Sequence, residues 1–129
     1  MEITIRMEQA IDFRDAADSF RNKKLPLPGA YKLNKILHNL EKDFEFYLTR
    51  FQEIIEKYAK KDEQGNYEFT EDGTQILIQD GKVDECNKEL EELFNLEITI
   101  DNLNLTIDNL GENLECTPDE LDKLMPFFG

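Results

Sequence analysis

The chain has no tryptophan and one histidine, His38, in 129 residues. A triad or dyad that relies on imidazole has only that one group to draw on, and no cysteine or carboxylate flanks it in a triad-like arrangement. Cysteine is also scarce: Cys86 and Cys116 stand thirty residues apart, without the paired spacing of a zinc site. Two structural thiols in a reducing cytoplasmic setting are the expectation. With 6 Gly and 4 Pro there is no glycine-rich phosphate loop. No apolar run approaches the roughly 20 residues of a membrane span. The N-terminal MEITIRMEQA carries charges where a signal peptide needs its apolar stretch.

Basic residues are missing from one half. Residues 1–61 hold twelve Lys and Arg against ten acids, a net of +2, whereas residues 62–129 hold only Lys82, Lys88 and Lys123 against nineteen acids, a net of −16. The whole chain stands at −14. Such a charge repels phosphate, so direct nucleic-acid binding is not expected. A basic protein partner is.

Forty per cent apolar residues and thirteen aromatics, from 9 Phe and 4 Tyr, argue for an ordered globule. One domain spanning 1–129 is the expectation from length. Between Ala30 and Lys61 no Gly or Pro occurs, and Leu33, Leu37, Leu40, Phe44, Tyr47, Phe51, Ile54 and Tyr58 recur at alternating intervals of three and four. Ile36, Leu48 and Ile55 widen this stripe. It predicts one long central helix with coiled-coil spacing, about 48 Å at 1.5 Å per residue. A helix of that length overhangs a compact chain of this size, so part of its stripe, around Tyr47 and Phe51, is a candidate surface for docking or self-association.

Two shorter helices are expected to pack antiparallel on it. One, about Glu8 to Asn22, carries Ala10, Phe13, Ala17 and Phe20; the other carries Val83, Cys86, Leu90 and Leu93. The break Leu25-Pro26-Leu27-Pro28-Gly29 turns the chain before the long helix. Tyr67–Thr70 and Thr74–Ile78 flank Glu71-Asp72-Gly73 and predict a β-hairpin, after which Lys57, Lys60 and Lys61 would approach Asp80, Asp84 and Glu85. The segment Asp62-x-Gln64-x-Asn66 falls short of a calcium loop, because Tyr67 stands where the turn glycine is required. The alternating, β-branched Glu2–Arg6 and Glu97–Asp101 are predicted to pair as a small sheet. The class is therefore α+β, mostly helical. Residues 98–111 contain a tandem repeat, read as short strands broken by Asp-Asn turns or as a helix, with strand preferred. Thr117-Pro118-Asp119-Glu120 is a capping box that opens a terminal helix, Pro118 to Met125.

No cofactor, metal site or catalytic set emerges. The candidate partner-binding residues are acidic: Glu91 and Glu92 on the Val83 helix, beside Asp84, Glu85 and Glu89, and Glu112, Glu115, Asp119, Glu120 and Asp122 near the C-terminus. A folded acidic surface imitates the phosphate backbone; the plainer alternative is a solvated face that aids solubility.

Several segments carry a likeness: Leu25-Pro26-Leu27-Pro28-Gly29-Ala30-Tyr31-Lys32-Leu33, Ile55-Glu56-Lys57-Tyr58, Asp62-Glu63-Gln64-Gly65-Asn66, Asn87-Lys88-Glu89-Leu90-Glu91-Glu92-Leu93, Thr117–Leu121 and Met125-Pro126-Phe127-Phe128. Together they resemble a family of small uncharacterised, acidic, helical proteins encoded by tailed bacteriophages. The resemblance implies a phage origin and assigns no activity. Two functions are expected, one from the overlong apolar stripe and one from the net −16 of residues 62–129. One is a non-enzymatic interaction module, a virion, assembly or accessory protein docking through its long helix, in the host cytoplasm or the virion. The other is an acidic inhibitor of a host defence or DNA-binding protein, of the anti-CRISPR type.

Overall fold

The computed structural model describes residues 2–128. It is a mostly helical α+β chain: β1 (Glu2–Arg6), α1 (Met7–Ser19), α2 (Leu27–Asn39), α3 (Glu41–Tyr58), α4 (Val83–Phe94), β2 (Glu97–Asp101), α5 (Ile107–Leu110) and α6 (Pro118–Leu124), with a final 3-10 turn, Met125–Phe127. Its contacts divide into two compact units. The first holds the described residues up to Glu45 and from Asn95 onward; the second is Phe46–Phe94.

In the first unit β1 and β2 pair antiparallel, with Ile3 opposite Ile100, Thr4 opposite Thr99 and Ile5 opposite Ile98. Alternation sets the two faces: Ile5, Ile98 and Ile100 are buried, whereas Thr4 and Thr99 are exposed and share a 3.0 Å hydroxyl contact. The strand runs straight into α1. Met7, wholly buried, donates its amide to the Leu96 carbonyl at 2.8 Å, and the Gln9 side chain accepts from the Arg6 amide at 2.9 Å. Ala10, Phe13, Ala16, Ala17 and Phe20 then form the buried face of α1 and its exit, and α1 packs on α6. The Phe13 and Phe127 rings lie 4.3 Å apart in this core.

The expected single long helix is two helices. The stripe breaks at Leu40, which has φ −97° and ψ −2°, and whose amide is shared between the Ile36 and Leu37 carbonyls at 3.1 and 3.2 Å. Neither Pro nor Gly is present to cause the break. Leu40 is instead fully buried alongside Leu33 and Ile36 in the first unit, whereas the stripe from Tyr47 onward is packed within the second. Heptad spacing describes one helix on one surface; here the two ends serve different cores. The start also moves. Pro28 lies inside the first turn of α2, where its missing N–H costs no hydrogen bond.

In the second unit Ile54, Tyr58, Cys86 and Leu93 form the core between α3 and α4, joined by Tyr47, Phe51, Ile78 and Leu90. Residues 59–82 make isolated antiparallel bridges, Ala59 with Ile78, Lys61 with Tyr67 and Phe69 with Ile76, in place of the two expected hairpin strands. The turn itself is well formed. Gly73 has φ +72° and donates to the Thr70 carbonyl at 2.8 Å, and the Asp72 carboxylate accepts the Thr74 amide at 3.1 Å. Six polar or charged residues and a glycine among the ten from Glu68 to Leu77 leave little apolar surface to hold longer strands in register.

The tandem repeat adopts two structures. Residues 98–101 of its first copy lie in β2, whereas in its second copy, which begins at Leu105, the Thr106 hydroxyl accepts the Asn109 amide at 3.3 Å and caps the four-residue α5. The terminal capping box forms as expected, the Thr117 hydroxyl accepting the Glu120 amide at 3.2 Å and the Glu120 carboxylate accepting the Thr117 amide at 3.1 Å.

Helix α2 packs on α5 at Gly29, where an added Cβ would lie 1.8 Å from the Asn109 carbonyl oxygen. Lys32 reinforces the contact, donating to the Asn104 carbonyl at 3.1 Å and to Asn109 Oδ1 at 3.0 Å. Gly29→Ala is expected to destabilise the chain by about 1–3 kcal/mol through overpacking against backbone. Urea unfolding measures it, and amide exchange in residues 104–111 should accelerate most.

Candidate docking groove and acidic surface

The α3–α4 contact is built around a carboxylate. Glu89 projects from α4 toward α3, where its Oε1 accepts from Arg50 at 3.3 Å and from Lys57 at 3.4 Å. Its Oε2 is buried without a conventional hydrogen bond. The Tyr58 hydroxyl beside the carboxylate, then Lys57 and Arg50, hold the Glu89 pKa below the ordinary glutamate value, against the partial burial that raises it. The reciprocal effect raises the Tyr58 pKa. Burial, with Glu89 nearby, also pushes the Cys86 thiol up, as befits an inert core cysteine.

The lysines therefore find partners other than those expected. Lys57 pairs with Glu89, Lys60 with Glu68 at 3.8 Å, and Lys61 with Glu56. Asp80, Asp84 and Glu85 do not meet them; Glu85 pairs with Lys82, one helical turn before it, at 3.6 Å. The cause lies in the loop: residues 60–68 fold back on the end of α3 and bring Glu68 and Tyr67 to it. The Tyr67 hydroxyl donates to Glu56, and the Lys61 ammonium lies 5.6 Å from the Tyr67 ring.

Beside this cluster runs a groove of about 1120 Å³. Phe51 and Ile55 of α3, Leu90 of α4 and Ile76 of the loop give it an apolar floor, and Gln52, Glu56, Asn87 and Gln75 give it a polar rim. A concave apolar surface with a few polar groups at its edge is the usual form of a binding site. The sequence marked this surface in part, through Phe51 on the heptad seam and Ile55 beside it.

Tyr47 and Phe51 were expected on an uncovered stretch of stripe. They are half-buried instead, stacked on each other at 5.7 Å, with Tyr47 also against Phe94 at 5.9 Å. Phe51 still borders the groove. The exposed apolar residues of α3 are Phe46 and Leu48.

The acidic candidates fall into both units. Glu91 and Glu92 are exposed on α4; Glu112 and Glu115 are exposed ahead of α6; Asp119 and Asp122 are exposed on α6. None of these six forms an ion pair among the described residues. Glu120 is different: it accepts from the Ser19 hydroxyl at 2.6 Å and caps Thr117, and both contacts lower its pKa. It is committed to holding α6 against α1.

His38 is exposed and 3.4 Å from Glu41. Cys86 and Cys116 are both free thiols. Among the described residues, no three His, Cys, Asp or Glu side chains are placed to share a metal ion, and no helix is long and apolar enough to cross a membrane.

A carboxylate whose pKa is depressed on folding contributes stability that is present above the unfolded-state value and is lost as pH falls through the folded one. The Glu89 contribution should therefore be full at neutral pH, begin to fall as pH drops through the ordinary glutamate pKa of about 4.3, and vanish only below the lower folded value. Glu89→Gln is expected to lower stability at pH 7 and to flatten the acid limb of the stability curve. Equal loss in both proteins from pH 7 to pH 3 would assign that limb elsewhere.

Compared with protein-family models, curated proteins and solved structures, the chain matches none of them.

Proposed function

We propose that this chain is a non-enzymatic protein-interaction module, a phage-encoded virion, assembly or accessory protein whose α3–α4 groove takes an apolar segment flanked by basic residues. The observation that carries the reading is the groove itself: Phe51, Ile55, Ile76 and Leu90 line one concavity, with the unpaired Glu91 and Glu92 on the same helix as Leu90. Apolar side chains of the partner would fill the floor and its cations would meet the carboxylates. Burial in the groove would supply affinity, and charge would supply encounter rate and salt sensitivity. Function in the host cytoplasm or the virion follows from the phage-like sequence features and belongs to the same proposal.

Affinity capture from phage-infected cells tests this reading. The wild-type chain is expected to retain a basic phage or host protein, released progressively as salt shortens the screening length. Ile76→Lys and Gln52→Arg, folded by circular dichroism, are expected to lose it by tenfold or more, on the order of 1.4 kcal/mol. Equal retention by wild type and both variants would sink the groove as the docking site.

A second reading, phosphate mimicry toward a host nucleic-acid-binding protein, rests on the six exposed carboxylates that have no cationic partner among the described residues. Changing Glu112, Glu115, Asp119 and Asp122 to their amides leaves the groove untouched. Under mimicry the quadruple variant no longer displaces duplex DNA from such a protein; under groove docking, capture of the partner survives.

A further inference from the structure

The two-stranded sheet has two outer edges, and their chemistry differs. The Met7 amide bonds to the Leu96 carbonyl, in register with Ile5 opposite Ile98 and Ile3 opposite Ile100. Alternation in an antiparallel ladder then turns the backbone groups of Ile3 and Ile5 inward to β2 and those of Glu2 and Thr4 outward. The close Thr4–Thr99 hydroxyl contact fits a pair without ladder hydrogen bonds. On β1 the outward Arg6 amide is already used by Gln9. No backbone partner occupies the outward groups of Glu2 or Thr4 among the described residues, and both residues are exposed.

We propose that this edge pairs with the same edge of a second copy, antiparallel, with Thr4 opposite Thr4. The sequence Glu2-Ile3-Thr4-Ile5-Arg6 is complementary to itself in that register. Glu2 meets Arg6 of the second copy at both ends, and Ile3 meets Ile5 on the core face, where Ile3 is only half-buried in a single copy. The single copy also leaves a mismatch that pairing relieves. Glu2 stands opposite Asp101, two exposed carboxylates with no ion pair among the described residues, and like charges directly opposite are destabilising. Arg6 of the second copy, which within one copy pairs with the exposed Glu8 at 3.4 Å and donates to Asn95 at 3.0 Å, supplies the missing cation by exchanging or sharing those exposed contacts. The β2 edge does not self-pair as well: centred on Thr99, it sets Glu97 against Asp101. An unpaired edge is a template for another strand unless charge opposes it, and here charge opposes pairing on one edge and favours it on the other. The result is a closed two-fold dimer with a four-stranded sheet. This surface is independent of the α3–α4 groove.

Sedimentation equilibrium over a rising concentration series tests the proposal. The wild-type chain is expected to move reversibly from 15.2 kDa to twice that mass. Thr4→Pro removes the outward N–H at an edge position that tolerates proline, and should abolish the dimer. Thr99→Pro on the other edge should leave it intact. Glu2→Arg should weaken association about tenfold, and Glu2→Arg with Arg6→Glu should restore it. The swap series decides alone should Thr4→Pro fail to fold. A monomer at every concentration overturns the proposal, as does a dimer indifferent to Thr4→Pro, one weakened equally by Thr99→Pro, or one that the double swap does not rescue.

Discussion

One apolar stripe, running from Leu33 to Tyr58, has to be covered, and the chain covers it in two places. Leu33, Ile36 and Leu40 lie in the core of the first unit, with Phe13, Leu110 and Phe127 among its other buried residues. Ile54 and Tyr58 are covered by Cys86 and Leu93 in the second. Fully burying side chains of this size removes roughly 1.5–3 kcal/mol each from the cost of solvation. Keeping i to i−4 hydrogen bonding ideal at one residue is worth less. The helix therefore breaks at Leu40, where the amide is shared between the Ile36 and Leu37 carbonyls and the Leu40 carbonyl still accepts the Phe44 amide at 2.9 Å.

The elements that were legible in the sequence are those whose signals are local. The β1–β2 pairing was readable because alternation and β-branching mark both segments. The terminal capping box was readable because the roles of Thr117, Pro118 and Glu120 in it are local. The break at Leu40 was not readable, since no residue there disfavours helix strongly and the cause is burial in a core assembled from distant segments. The repeat misled for a related reason. Its two copies are nearly alike, yet one has a partner strand in Glu2–Arg6 and the other has a single bridge, Leu105 with Phe128, the Thr106–Asn109 cap and the contact with α2. Tertiary pairing, absent from the repeat itself, separated them.

The candidate surfaces were legible in part. Counting charges located the acidic half, but counting does not say which carboxylates are already used. Glu89 appeared to be one more acid on a solvated helix face; it is the partly buried partner of Arg50 and Lys57. Glu120 looked like its neighbours Asp119 and Asp122, yet it caps one helix and ties it to another. The groove was harder to foresee, because Tyr67 and Ile76 reach it from a loop whose path depends on bridges of one residue pair each.

Those internal commitments sharpen what the charge imbalance leaves for a partner. Glu56, Glu68, Glu85 and Glu89 all face cations of their own unit. The remaining strongly negative set, from Glu91 to Asp122, is exposed and screened by salt, so by itself it speeds encounter more than it holds a complex together. Lasting affinity requires apolar area removed from water, and the groove offers that, lined in part by Leu90 of the helix that carries Glu91 and Glu92. The carboxylates of α6 belong to the other unit. A partner that engages them alone must make up the difference with geometry, meeting several charges at once as a nucleic-acid-binding cleft does with phosphates. The two readings of this surface thus differ in the physics they demand of the partner: an apolar anchor with basic flanks in one case, an array of cations in the other.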